Sequence, residues 1–525
     1  MSGMFETKTD KASRKLELNK KEEKAKRKSR IIAVSIISAL ILVSALAIIF
    51  NSNFIRRTLP VVTIDGVSFS AAEFEFFFYS EYMDYANMMS QFQGMGGSMP
   101  DPNRSLTTQI FNMETGETWA DILLDATYAR MAHLVSLHNA AKEANFELTA
   151  EHYEIIDHDV LRLEAQAITN VPQIPFDTYL QRMYGNSMNE SVYRKLQEFI
   201  AVAMFYSEDV RDSFQLTQND LDAYYAERKD ELDVFNYRMF ILGSAAFMEE
   251  DYETDEDRDA ARVIATEQAH TRAAEIAATI TSEDDFINAA RDFGEFYDDP
   301  ESTLRMMQAQ RLDEDTRIWL QDSARKPGDV TVINTEHGGN IMYFISHDDN
   351  SYNMASMRQI LFSRPFINPE SYPEGELDSD YLAALELADA ELQERAETVF
   401  AKFKEAGATE EALIELMGEH SDDTTQGGFY SDISKFPYQG TNISTMKVVA
   451  EIEEWLFADN RAVSDYELIY TKDFGYHLIY FPGFGEQFSR IMADDMLRTE
   501  KHSEWLESLP VGQPVKHAAF MLVRL

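Results

Sequence analysis

The 525-residue chain contains no cysteine. Disulfides, thiolate nucleophiles, zinc–thiolate centres and a lipid-bearing N-terminal cysteine are excluded with it. Basic residues are scarce: 47 Lys and Arg stand against 91 Asp and Glu, a formal net charge of −44. So acidic a surface repels nucleic acid and anionic surfaces and keeps the chain soluble. There is no His-Glu-x-x-His, no Gly-x-Ser-x-Gly and no phosphate-cradling glycine loop, so metalloprotease, esterase and nucleotidase chemistry have no support. The acidic run from Glu249 to Asp257 lacks the glycine and the spaced ligands of a calcium loop and reads as a solvated charge run. No cofactor, no metal and no nucleic-acid partner is expected.

What is present is enough apolar material for several cores: 45% of the residues are hydrophobic. At roughly 100–200 residues per domain, three or four domains are expected. Ile31 to Phe50 is a twenty-residue run without a charge. As a helix rising ~1.5 Å per residue it would span a ~30 Å hydrocarbon layer, so residues 31–50 are read as a retained transmembrane helix. A cleaved signal segment is shorter and ends in a small-residue site, which does not follow Phe50. The stretch from Lys8 to Arg30 is dense in Lys and Arg, so residues 1–30 are expected in the cytoplasm. The location expected is a single pass of the cell membrane, with everything after Arg57 extracytoplasmic.

Val61 to Ile64 reads as a strand, Asp65-Gly66 as a hairpin turn and Val67 to Phe69 as the return strand. Ser70-Ala-Ala-Glu73 is a capping box opening a helix rich in aromatics, Phe74, Phe76, Phe77, Phe78, Tyr79 and Tyr82 among them. The Met-, Gly- and Pro-rich stretch from Met88 to Arg104 reads as a loop. From Thr118 to about Lys229 the pattern is helical, and Thr217-Gln-Asn-Asp220 caps its last helix. This gives a mainly helical domain over residues 58–232.

After Asp233 an internal repeat begins. Tyr237-Arg-Met-Phe-Ile-Leu242 parallels Met357-Arg-Gln-Ile-Leu-Phe362. Each is followed by an acidic insert and a helix rich in Ala and Glu. Phe293-Gly-Glu-Phe-Tyr-Asp-Asp299 parallels Met417-Gly-Glu-His-Ser-Asp-Asp423, and Gly338-Gly-Asn-Ile-Met-Tyr-Phe344 parallels Gly475-Tyr-His-Leu-Ile-Tyr-Phe481. Three matches in one order predict two tandem copies of one small α/β fold, over residues 233–350 and 351–485. Residues 486–525 follow as a helix carrying Trp505 and Leu506 and an apolar, strand-like end from Val515 to Val523.

Two segments of the second copy, His420-Ser-Asp-Asp-Thr-Thr-Gln-Gly-Gly-Phe-Tyr430 and Thr471-Lys-Asp-Phe-Gly-Tyr-His477 onward, resemble the parvulin family of peptidyl-prolyl isomerases. The strand-turn-strand-helix start resembles extracytoplasmic foldases of the PrsA/SurA type. The resemblance implies an α+β chain: an N-terminal transmembrane helix, a helical chaperone domain, two tandem parvulin-like domains with the first degenerate, and a C-terminal helix and strand returning to the helical domain. It implies a catalytic set of His477 at the family's conserved histidine, Asp423 at its Cys/Asp position and Gln359 where the family carries another histidine. Tyr430, Val448, Ile452, Phe457 and Phe474 are implied as substrate-binding positions. Two departures stand out. Glutamine replaces one histidine; it can donate and accept but not titrate. Ile452 stands where an aromatic ring is usual. In the first copy Met239 and Asn340 replace the polar positions and Asp299 persists.

The function implied is rotation of X–Pro bonds in exported, partly folded polypeptides, together with holding those clients. A non-catalytic chaperone or scaffold with eroded parvulin domains is the alternative, and an oligomerising envelope protein is a third reading. The expected partners are unfolded polypeptides with X–Pro bonds and the membrane through one N-terminal helix; a homodimer is left open.

Overall fold

The computed structural model describes residues 24, 26–43, 53–91, 99–101, 104–169, 172–249, 252, 254–294, 300–373, 378–441 and 443–524. The chain is α+β and divides into two compact units, residues 1–213 with 502–525, and residues 214–501.

The N-terminal transmembrane helix expected at residues 31–50 is corrected. Among the described residues no helix is long and apolar enough to cross a membrane. Residues 26–43 are helical, but Lys26, Arg27, Lys28 and Arg30 open that stretch, and thirteen uncharged residues, 31–43, follow. At ~1.5 Å each these cover about 20 Å, short of a ~30 Å hydrocarbon layer. Residues 44–50 lie outside the described residues, as does most of the basic segment. The membrane contact expected through this helix therefore has no described helix to carry it.

In the first unit, β1 (Pro60–Ile64) and β2 (Val67–Ser70) form a hairpin. Asp65 and Gly66 both have positive φ, 41° and 81°, the turn whose twist suits a two-residue hairpin. Ser70 and Glu73 make the reciprocal bonds of a capping box, Ser70 N–H to Glu73 Oε2 at 2.7 Å and Glu73 N–H to Ser70 Oγ at 3.4 Å. The helix they open, Ala71–Gln91, buries Phe74, Phe77 and Phe78 completely. This helix runs through Met88, so the loop expected from Met88 starts later, and residues 92–98 and 102–103 lie outside the described residues. The C-terminal helix Phe488–Ser508 brings Trp505 and Leu506 onto the same core. The strand expected at 515–523 is shorter: Pro514–Lys516 pairs with β1, and Ala518–Leu522 turns into a 3₁₀ helix that sets Phe520 on Phe74.

The second unit contains two four-stranded antiparallel sheets. The first has the order β4-β3-β6-β5, from β3 (Val234–Gly243), β4 (Leu304–Gln308), β5 (Val330–Thr335) and β6 (Gly338–Asp348). The second has β8-β7-β10-β9, from β7 (Asn353–Ser363), β8 (Phe429–Ile433), β9 (Tyr466–Thr471) and β10 (Gly475–Gln487). The two sheets share strand registers. Met239 faces Met342 as Gln359 faces Ile479, and Ile241 faces Asn340 as Leu361 faces His477. Gly338 and Gly475 open equivalent strands at φ 141° and 109°. A Cβ there would lie 2.2 Å from Leu242 O and 2.4 Å from Phe362 O, so only glycine fits. Asp299 lies outside the described residues.

Side chains alternate between the two faces of β7 and β10. Ile360, Phe362, Leu478 and Tyr480 pack under the helices Ser379–Glu405 and Glu410–His420, against Leu392, Val399, Phe403 and Leu413. Met357, Ile479 and Phe481 face the other way, onto the short helix Ala450–Leu456. The polar positions of the second copy lie on this second face.

Candidate functional site

Gln359 occupies the middle of β7 and His477 the third position of β10, 6% and 4% exposed. Asp423 comes from the loop after the helix Glu410–His420. That loop docks on the stretch of β7 that β8 does not cover. Asp422 N–H donates to Leu361 O at 2.8 Å, and Ser421 Oγ accepts from the backbone N–H of Leu361 at 3.2 Å and of Asp423 at 3.1 Å. The Asp422 carboxylate holds the loop from outside, bound by both Arg395 guanidinium nitrogens at 2.8 and 3.0 Å. The adjacent aspartates thus separate, one clamping the loop and the other turned to the sheet.

Asp423, Gln359 and His477 join in one hydrogen-bonded chain. Gln359 Nε2 lies 2.8 Å from Asp423 Oδ2, and Gln359 Oε1 lies 2.8 Å from His477 Nδ1. Thr471 Oγ1 is 3.0 Å from His477 Nε2. At the other end, Tyr430 O–H donates to Asp423 Oδ2 at 2.7 Å, Thr425 Oγ1 lies 2.8 Å from the phenol, and Thr425 N–H donates to Asp423 Oδ1 at 2.9 Å. The chemistry fixes every proton. An ionised carboxylate only accepts, so Gln359 must present its NH₂ to Asp423 and its oxygen to the ring. His477 Nδ1 then carries the proton, and the Thr471 hydroxyl donates to Nε2. The phenol proton is committed to Asp423, so Thr425 donates to Tyr430.

The electrostatics agree with this assignment. Burial pushes the His477 imidazole down to about 4, with Asp423 and Glu451 opposing weakly, so the ring is neutral near neutral pH. Burial also opposes the Asp423 charge, but the bonds from Thr425, Tyr430 and Gln359 outweigh it and hold the carboxyl below its ordinary value. Burial raises the Tyr430 phenol, which stays protonated.

Tyr430 links this polar chain to an apolar one. It packs against the buried cluster of Ala355, Met357, Ile433, Ile452, Leu456, Ile479 and Phe481, as half-buried Val448 and Phe457 also do. Ile452, 2% exposed, is part of that core and not an open wall. Phe474 stands apart from the cluster, half exposed, with its ring edge-on to His477 at 6.3 Å. Asp423, Tyr430, Val448 and Phe457 are half-buried and Phe474 is half exposed, while Gln359 and His477 are buried.

The first copy keeps the frame and not the chain. Met239 and Asn340 stand at the register positions of Gln359 and His477, and Met239 packs with Phe235, Tyr237, Met342 and Phe344 in an apolar cluster. Sequence reasoning missed Thr471, Thr425 and Ser421. It also missed a shared clasp: Arg325 stacks on Trp319 at 4.1 Å and reaches Asp329 at 3.3 Å, and Arg461 stacks on Trp455 at 3.6 Å and reaches Asp465 at 3.0 Å. The spacing from Trp to Arg to Asp is the same in both copies and was readable.

No family model and no curated protein matches the chain. Among solved structures it is similar to PrsA from Bacillus cereus, described as a peptidylprolyl isomerase, at 9% identity over 61% of this chain and 95% of that one, with a TM-score of 0.22. It is also similar to PrsA from Bacillus subtilis, at 11% identity over 61% of this chain and 96% of that one, with a TM-score of 0.14.

Proposed function

We propose that the second sheet domain catalyses cis–trans isomerisation of X–Pro peptide bonds in unfolded polypeptides, which the chain also holds. The observation that supports this reading is the one-way hydrogen-bonded chain from Thr471 through His477 and Gln359 to Asp423, with Tyr430 joining it to an apolar wall. An X–Pro bond resists rotation by ~18–20 kcal/mol because amide resonance places negative charge on the carbonyl oxygen. A fixed carboxylate beside that oxygen opposes the charge, so it disfavours the planar amide more than the twisted one. Asp423 is the group cast in that role. His477, Gln359 and Tyr430 hold it ionised and oriented, and the rings of Tyr430 and Phe457 take the prolyl ring out of water. No covalent intermediate is needed.

The test is acceleration of a proline-limited refolding reaction by the full chain. Wild type should accelerate it, and Asp423→Ala and His477→Ala should lose about tenfold or more, the scale of removing one electrostatic contributor. A wild-type rate equal to buffer would end the isomerase reading.

The second reading, a non-catalytic holder, is favoured by the first copy, where Met239 and Asn340 replace the polar pair within an unchanged frame. Suppression of client aggregation without any rate enhancement would establish it.

A further inference from the structure

The segment that carries Asp423 and Thr425 begins in the helix Glu410–His420 and ends at β8. Its exit is the turn Gln426–Gly428, where Gly427 and Gly428 take positive φ, 67° and 52°. A Cβ on Gly428 would lie 2.5 Å from Gln359 O, so the turn sits directly against the backbone of β7. Arg358, the residue before Gln359, ties this segment down. Side chains alternate along the strand, so Gln359 points to the polar chain and Arg358 to the opposite face. There Arg358 Nη1 donates to Gly427 O at 2.7 Å, and Nε donates to the carboxylate of Glu410, the first residue of the helix. The guanidinium lies over the Phe429 ring, 4.7 Å from its centre. One planar, rigid fork therefore fixes the start of the helix and the end of the loop to a single strand position.

The first copy has the same brace. Arg238 of β3 donates from Nε to Glu283 Oε1 at 2.7 Å, and Glu283 is the first residue of the helix Glu283–Phe293. Its Nη1 donates to Thr303 Oγ1 at 2.9 Å, and Thr303 immediately precedes β4. Arg238 faces Leu304 in the register by which Arg358 faces Phe429. The brace is thus part of the repeated frame, and in the second copy the segment it ties carries Asp423. Burial opposes the charge of that carboxyl, and the bonds from Thr425, Tyr430 and Gln359 outweigh it. Thr425 belongs to the tied segment and Tyr430 follows it in β8, so freeing the turn at Gly427 loosens two of those three bonds.

We propose that Arg358 is a positioning residue of the isomerase site: it holds the Gly427 turn and the Glu410 helix start on β7, and so keeps Asp423 where the client's carbonyl oxygen arrives. Arg358 touches no client and acts through Asp423. The proposal rests on the reading of the second sheet domain as an isomerase and names a residue outside the hydrogen-bonded chain from Thr471 to Tyr430.

The test is a double-mutant cycle on the full chain, with cis–trans exchange of acetyl-Ala-Leu-Pro-Ala-amide followed by NMR. A reacting group misplaced by ~1 Å can cost ~10²-fold, so a loosened loop should cost about tenfold. Arg358→Ala should lower the rate by that factor in the wild-type background and by less than about twofold in Asp423→Asn, where the charge to be placed is gone. Arg358→Lys, which lacks the planar fork, should lose about threefold and carries the same comparison if Arg358→Ala does not fold. Arg238→Ala, the same brace in the first copy, should keep the wild-type rate. An unchanged rate in Arg358→Ala, or an equal loss in both backgrounds, would overturn the proposal. Hydrogen exchange read by mass spectrometry supplies a measurement that needs no activity. The N–H groups of Asp422, Thr425 and Gly428 are all bonded. In Arg358→Ala the stretch 421–429 should exchange about tenfold faster, the scale of one lost charge-assisted bond, with the rest of the second sheet domain unchanged. Uniformly faster exchange would show a general loss of fold and overturn the proposal. A wild type without isomerase activity would fail the earlier reading, and the exchange of 421–429 would then decide the brace by itself.

Discussion

Gln359 has two neighbours with opposite needs, a ring N–H on one side and a carboxylate on the other, each 2.8 Å away. An amide serves both at once without titrating. A methionine, as at Met239 in the first copy, serves neither. Gln359→Met should leave buried polar groups unpaired and lower stability by about 1–3 kcal/mol, measured by urea denaturation, with the isomerase rate falling alongside. The same arrangement sets a pH signature. The folded His477 imidazole sits near 4 against an ordinary 6.5 because burial disfavours its charge. Its stability contribution is full above about pH 6.5 and is lost as pH falls toward 4, where the unfolded chain takes up a proton that the folded one refuses. His347 behaves oppositely. Its bond to Asp233 raises its pKa, against some loss from burial, so its contribution is full below about 6.5 and is lost as pH rises through the raised value. Stability measured against pH should flatten on the acid side in His477→Gln and on the alkaline side in His347→Gln. If neither variant changes the profile, the two assignments are wrong.

At the level of elements, the hairpin, the two capping boxes and the order of the repeat were legible because each rests on local chemistry: a turn that needs positive φ, a side chain that caps its own helix, a strand that recurs. The aspartate pair was legible only as a pair. That Asp422 clamps a loop to Arg395 while Asp423 turns to the sheet depends on β8 leaving Leu361 uncovered, a tertiary fact that no local pattern carries. Thr471 escaped for a similar reason, since its bond to His477 closes a strand turn whose geometry Gly475 sets. Gly475→Ala would drive a methyl against Phe362 O and should cost about 1–3 kcal/mol, the usual range for overpacking. The Trp455–Arg461–Asp465 clasp fixes the end of the helix whose side chains wall the apolar cluster. Arg461 also donates to Trp455 O at 2.8 Å. Arg461→Ala should therefore lower stability by about 1–2 kcal/mol, from the lost ring contact and hydrogen bond. An unchanged thermal midpoint would show the clasp to be idle.

For the whole molecule, the α+β class implied by the resemblance agrees with the mixed helices and sheets of the structure. The N-terminal segment differs. The twenty-residue apolar run reads as a spanning helix, whereas among the described residues no helix is long and apolar enough to cross a membrane, and residues 44–50 lie outside them. The two copies differ at matching register positions: Gln359 and His477 of the second stand where the first has Met239 and Asn340.

The most direct test compares the rate of proline-limited refolding with no addition, with the wild-type chain, and with Asp423→Asn, which keeps the shape and removes the charge. The account predicts clear acceleration by wild type and a loss of about tenfold or more in Asp423→Asn. Equal acceleration by the two proteins would contradict the role given to the carboxylate, and a wild-type rate equal to that of buffer would contradict catalysis itself.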